Sequence, residues 1–157
     1  MMITCSTEVE IEAPIELCFD RARCIELHTQ TVWKHTRERA VEGRTAGMIG
    51  AGETVTFQAR HFLVTQRLTS RIVEYDRPRR FVDEMLSGAF KSMRHEHTFA
   101  QLGPHTTLMR DTLVFSAPFG ALGWIVERVI LRRYMLSFLK YRNRQLKSRI
   151  EEEWGNA

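Results

Sequence analysis

Two histidines and an aspartate carry what chemistry this chain can be expected to do. His95 and His97 alternate with Met93 and Phe99 in the segment MRHEHTF, while Arg94, Glu96 and Thr98 occupy the intervening positions. A strand places every second side chain on one face, so the apolar company of the histidines turns both toward an interior. The same period-two argument turns Asp111 inward with Met109, Leu113 and Phe115. A carboxylate beside an imidazole favours the imidazolium and fixes its orientation, which is what a general acid or base needs near neutral pH. His95, His97 and Asp111 are therefore the expected catalytic residues. Asp83 lies between Phe81 and Met85, but Val82, Glu84 and Leu86 offer an equally apolar alternative face, so the pattern leaves its direction open.

The same residues admit a purely structural explanation. A buried aspartate must find donors, and a histidine beside it can supply them and tie two strands together. A His-x-His pair with Asp111 or Asp83 as third ligand could also hold a metal, but such sites usually add a third histidine or a glutamate at tighter spacing, and none is expected here. No G-x-S-x-G elbow is present, and Cys5 has no histidine placed beside it by the pattern. The glycines from Gly43 to Gly52 are not followed by a Lys-Ser/Thr pair or by a helix opening, so they are no phosphate-binding loop. They predict a mobile loop of the kind that often serves as a lid.

The elements that must position these residues are legible along the chain. Ile3, Cys5, Thr7, Val9 and Ile11 alternate with polar residues and predict a first strand over 3–12. Pro14 opens a short helix containing Ile15, Leu17, Cys18 and Phe19, and a second short helix is expected around Arg23 to His28. Strands are then predicted from Trp33 to Glu42, on either side of His61-Phe62-Leu63, from Phe81 to Leu86, from Lys91 to Leu102 and from Thr106 to Ser116. Short turns between successive strands imply a meander. Pro118-Phe119-Gly120 ends the sheet, and a long helix is predicted from Leu122 to about Glu153. Leu122, Val126, Val129, Leu136, Leu139, Leu146 and Ile150 give it a packing side; Leu131, Tyr134, Phe138 and Tyr141 form a second apolar strip, against the short helices, a second subunit or a ligand.

A length of 157 residues, with 43% hydrophobic and 27% charged residues, fits one globular domain spanning 1–157. Cys5, Cys18 and Cys24 are odd in number and have no CxxC spacing, which suits reduced thiols in a cytoplasmic protein. Glutamates follow the N-terminus where a signal peptide would need positive charge, and no run is long enough to span a membrane. The net charge of +4 is concentrated in the last helix, where Arg128, Arg132, Arg133, Lys140, Arg142, Arg144, Lys147 and Arg149 face Glu127 alone between Phe119 and Ile150. Such a stripe is usually a solvated face, and otherwise suits an anionic surface or an acidic partner. Aromatic residues are not interleaved with the basic ones, so nucleic acid is not an expected partner.

The order of strand, two short helices, six-strand meander and long last helix resembles the helix-grip fold, an α+β architecture in which a curved antiparallel sheet of about seven strands wraps the C-terminal helix. The segments FVDEMLSGAFKSMRHEHTF, RDTLVF and APFGALG, with EVEIEAPIELCF at the front and YRNRQL at the back, resemble a bacterial branch of the START-like (SRPBCC) superfamily, which includes polyketide cyclase/dehydrase and lipid-transfer families. Met93 stands where related sequences often carry tryptophan. The resemblance implies an internal cavity for a lipophilic or aromatic small molecule; Phe57, Met85, Met93, Phe99, Met109, Leu113 and Phe115 are its expected walls with Asp83 beside them, and no cofactor and a monomer or homodimer are expected. The alternative it implies is a cyclase or dehydratase that uses His95, His97 and Asp111 for proton transfer at an enolisable carbonyl. A third expectation is a membrane-surface or partner-binding role for the basic helix.

Overall fold

A computed structural model describes residues 2–117 and 126–157. Seven antiparallel strands form one sheet: β1 (Ile3–Ile11), β2 (Arg39–Gly43), β3 (Thr54–His61), β4 (Val64–Asp76), β5 (Arg80–Ser87), β6 (Ser92–Gly103) and β7 (Thr106–Ser116). Their order is β1-β7-β6-β5-β4-β3-β2, so β2 to β7 run as a meander and β1 closes against β7. Register shifts between Ala40 and Glu42, Thr69 and Ser70, and Ile72 and Glu74 mark bulges, which bend strands and increase twist. The sheet curves around α3 (Arg132–Gly155), which is entered from a π-helical turn at Val126–Leu131. At ~1.5 Å per residue α3 is about 36 Å long, enough to cross the sheet.

Two short helices, α1 (Ile15–Ala22) and α2 (Ile25–Thr31), lie between β1 and β2. Pro14 takes the N-cap position of α1, with its carbonyl accepting the first helical bond from the Cys18 N–H. Trp33 does not begin a strand as expected: a single 3₁₀ turn at Lys34–Thr36 intervenes, closed by the Thr36 hydroxyl donating to the Trp33 carbonyl at 2.7 Å. The stop at Pro118-Phe119-Gly120 and the helix start at Leu122 lie outside the described residues.

Phe19 of α1 organises the larger part of the core. Its ring meets Tyr75, Phe81 and Phe99 edge-on at centroid distances of 5.5, 5.4 and 5.4 Å, the geometry that aromatic quadrupoles favour. Leu146 and Ile150 of α3 pack into this cluster, and Leu139 into a second one with Ile3, Cys5, Met93, Leu113 and Phe115. The outer sheet face carries a different layer. Arg80 and Arg94 bridge Glu74, Glu84 and Glu96 above the fully buried Val82.

The glycine-rich loop is pinned, which overturns the expectation of a free lid. Met48 bridges to Cys24, the Ile25 and Ile49 N–H groups donate to Gly47 and Arg23 carbonyls at 2.9 and 3.0 Å, and the Glu26 carboxylate accepts from the Gly47 N–H at 3.0 Å. Ile49 is buried as a result. Gly43 is required where it stands: its φ is +73°, and a Cβ there would lie 2.3 Å from the Thr54 carbonyl oxygen.

Candidate functional site

Between the sheet, α1 and α2 and the first half of α3 lies a cavity of about 330 Å³. Its sheet wall is built from Val55, Phe57 and Ala59 of β3, Ser70 and Ile72 of β4, Phe81 and Asp83 of β5, Met93, His95 and His97 of β6, and Leu113 of β7. Leu131, Tyr134, Met135, Phe138, Leu139 and Arg142 of the last helix and its entry turn face them, so Leu131, Tyr134 and Phe138 of the second apolar strip belong to the cavity, while Tyr141 of that strip lies beside Trp33 instead. Ala22, Ile25 and His28 complete the wall from the short helices.

Of the walls expected from sequence, Phe57, Asp83, Met93 and Leu113 line this space together with His95 and His97. Met85, Phe99, Met109 and Phe115 are not among the lining residues. Phe99 and Met109 pack in the cluster around Phe19, and Phe115 and Met85 in or against the second cluster. Period two fixes the face on which a side chain lies, but not whether that stretch of the face meets solid core or open space.

The polar end of the cavity is assembled across β5, β6 and β7. Register sets His97 opposite both Phe81 and Asp111, and His95 opposite both Asp83 and Leu113. Asp83 faces inward: the His97 Nε2 lies 3.1 Å from its Oδ1 and donates to it. On its other side His97 Nδ1 approaches Asp111 Oδ1 at 2.7 Å, close enough for a strong charge contact but off the line of the ring N–H. His95 Nε2 stands 3.6 Å from the same oxygen, its ring 3.9 Å from that of His97. Phe81 stacks on His97 at 4.2 Å. Asp111 itself has no solvent exposure and does not line the cavity; it is the footing beneath the two imidazoles.

Arg142 completes the cluster from α3. Its Nη1 lies 3.4 Å from Asp111 Oδ2, and Nη2 donates to the Ala22 carbonyl at 3.5 Å. Next to it Asn143 donates to the Thr7 hydroxyl at 2.9 Å. Arg142 is buried, so it leaves the solvated basic stripe to which its charge would assign it. Its position could have been found: Leu139, Leu146 and Ile150 are spaced three before, four after and eight after it, which puts 142 and 143 on the packed side of the helix. Val129, expected on that side, is exposed instead.

Burial works against every charge in this cluster, and the neighbours decide which survive. Burial pushes the His97 pKa down, but the Asp111 charge and the close contacts to both carboxylates outweigh it and hold the value above 6.5. His95 goes the other way, lowered by burial and by the adjacent His97 charge more than Asp111 raises it. Burial raises both aspartates, yet His97 and His95 hold Asp83 below 3.8 and Asp111 well below it. The two carboxylates thus favour the charged form of His97, while burial and the neighbouring ring favour the neutral form of His95.

A second polar set lines the same cavity. His28 Nε2 sits 2.6 Å from Glu38 Oε1, its ring stacked on Phe57 at 4.4 Å, and His61 Nδ1 sits 2.6 Å from the Tyr134 hydroxyl. Burial lowers the His61 pKa and raises that of Tyr134. Sequence reasoning missed these pairs because their partners come from separate elements. For a cation, Asp83, His95 and His97 each offer a ligand atom, all within 4.8 Å of one another. Among the described residues no helix is long and apolar enough to cross a membrane.

Solved structures share this architecture. A Thermus thermophilus protein superposes with a TM-score of 0.77 at 17% identity, covering 94% of this chain and 97% of that one. A START superfamily protein from Mycobacterium smegmatis gives 0.72 at 14% identity over 96% and 97% of the two chains. A Thalictrum norcoclaurine synthase point mutant, in complex with a transition-state analogue, gives 0.72 at 9% identity over 98% and 96%. At such identities the likeness speaks to the fold. No curated protein matches the sequence. The family model described as polyketide cyclase / dehydrase and lipid transport matches residues 2–151, and the chain belongs to that family.

Proposed function

We propose that this protein binds a lipophilic or aromatic small molecule in the cavity between sheet and last helix, with His95 and the Asp83–His97 pair as its polar anchor. The observation that carries the reading is the cavity itself: about 330 Å³, walled by Val55, Phe57, Ile72, Met93, Leu113 and Phe138, with polar groups gathered at defined places. With His97 protonated, the form its two carboxylate neighbours favour, the cluster around the anchor is electrically closed, since Asp83 and Asp111 then meet one imidazolium and the Arg142 guanidinium. A ligand entering there meets no uncompensated charge, and the neutral His95 suits a carbonyl or hydroxyl oxygen. The membership of the chain in a family that includes lipid transport supports the same reading.

Native mass spectrometry of the purified protein tests for a retained ligand, and titration with an environment-sensitive apolar fluorophore tests the cavity directly. Ala59→Trp places a large ring into the lined space and is expected to weaken fluorophore binding at least about tenfold with the fold retained, because the site is already walled on all of its lining strands. Unchanged binding in that variant would remove the cavity from the proposal.

A second reading is favoured by the His97 geometry. An imidazolium held by two carboxylates, beside a neutral imidazole on the cavity wall, pairs an acid with a base, as proton transfer at an enolisable carbonyl requires. In that reading His95 accepts the proton, His97 donates, and Asp111 orients His97. His95→Gln then abolishes turnover of such a ketone while the fluorophore still binds.

A further inference from the structure

We infer that Asp83, His95 and His97 form a divalent-cation site of the zinc type that opens onto the cavity. The three side chains come from adjacent strands β5 and β6, where the pairing of Asp83 with His95 and of Phe81 with His97 fixes their register. Each supplies a ligand atom, and the atoms lie within 4.8 Å of one another. Ligands about 2.0–2.2 Å from a tetrahedral ion stand about 3.4 Å apart. The 3.1 Å from His97 Nε2 to Asp83 Oδ1 is already of that size. The proton now shared across that contact occupies the place a cation would take.

The surroundings match what such an ion needs. A metal-bound histidine usually gives its other ring N–H to a carboxylate that fixes its orientation and raises its basicity. Asp111 Oδ1 stands 2.7 Å behind His97 Nδ1, a charge contact off the line of the ring N–H that a small turn of the ring would convert into that bond, and Arg142 lies 3.4 Å from its second oxygen. His95 Nε2 is buried, lies 3.6 Å from Asp111 Oδ1 and makes no hydrogen bond, so no strong protein bond has to be broken for this imidazole to turn toward an ion. Two imidazoles and a single carboxylate form the nitrogen-rich donor set that suits zinc and cobalt, and is too poor in oxygen for calcium or magnesium. All three ligands line the cavity, so the fourth coordination position faces it and is open to water or to an oxygen of the bound molecule.

Cobalt(II) titration of chelator-treated protein tests this without reference to any activity. The expected result is the intense visible d–d absorption of a four-coordinate ion at one equivalent, abolished by adding zinc. Asp83→Asn and His95→Gln are each expected to weaken cobalt binding at least about tenfold, and Asp111→Asn, which acts through the two imidazoles above it, by about 10–100-fold. Thermal unfolding of each variant checks the fold; Asp83, which retains some exposure, is the substitution best tolerated. Absence of the four-coordinate spectrum overturns the proposal. So does cobalt binding that Asp83→Asn leaves unchanged, since the ion would then sit on other histidines. The apolar fluorophore reports separately on the cavity, so failure of the metal site and failure of ligand binding are distinguishable.

Discussion

Asp111→Asn is the substitution with the clearest worked consequence. The side chain keeps its shape but loses the charge that faces His97 Nδ1 at 2.7 Å and Arg142 Nη1 at 3.4 Å, at a position with no solvent exposure. Arg142 is then left buried with only the Ala22 carbonyl and the Asn143 side chain, both at 3.5 Å. Removing one partner of a buried ion pair costs about 3–5 kcal/mol. For a domain of this size each kcal/mol moves Tm by about 2–4 °C, so the expected fall is about 6–20 °C. Thermal and urea unfolding measure it. Adding Arg142→Met to the same chain removes the stranded charge and should recover part of the loss, with a coupling of about 0.5–3 kcal/mol. A single-variant loss under about 1 kcal/mol, or strictly additive losses in the double variant, would refute the view that this pair is held by electrostatics in a dry site.

The remaining predictions concern titration and backbone. His97 has a raised pKa, so its contribution is complete below 6.5 and fades as pH rises through its folded value, whereas His95, Asp83 and Asp111 have lowered values and their contributions fade on the acid side. Unfolding free energy measured against pH should therefore decline on the alkaline side of 6.5, and Asp111→Asn should flatten that limb; an equal alkaline decline in the variant would show that some other group causes it. Gly43→Ala combines a φ of +73° with a Cβ 2.3 Å from the Thr54 carbonyl, and is expected to cost more than about 1 kcal/mol by urea unfolding. A neutral result there would mean that the β2–β3 junction shifts freely.

The sheet was legible because each strand buries one face, and period two survives in the sequence wherever that holds. His95, His97 and Asp111 were readable from their apolar neighbours on that basis. Asp83 was not, because β5 is buried on both faces: Val82 lies under the Arg80–Glu74–Glu96 layer on the outside while Phe81 packs inside. Arg142 was hidden by its charge, which on a helix ordinarily means solvent, although the spacing of Leu139, Leu146 and Ile150 placed it on the packed side. The pairs His28–Glu38 and His61–Tyr134 left no local pattern, since each joins elements brought together only by the tertiary fold. The glycine loop misled for a related reason: its composition permits motion, but the ties to Arg23, Ile25 and Glu26 come from α2 and the residues just before it.

The charge balance of the cluster couples what sits between His97 and Asp83 to what the cavity accepts. With His97 protonated, the charges of Asp83, Asp111, His97 and Arg142 cancel, and the wall presented to the cavity by His95 is neutral. A divalent ion bound in place of that proton replaces one positive charge by two, leaving the same residues with a net positive charge. The low dielectric around them magnifies that difference. One arrangement of side chains would therefore accept a neutral carbonyl or hydroxyl oxygen when protonated and an enolate or carboxylate oxygen when metallated. On the proposed binding and metal sites, the preference of the cavity for neutral or anionic probes would therefore change with cobalt loading, and an unchanged preference would refute this coupling.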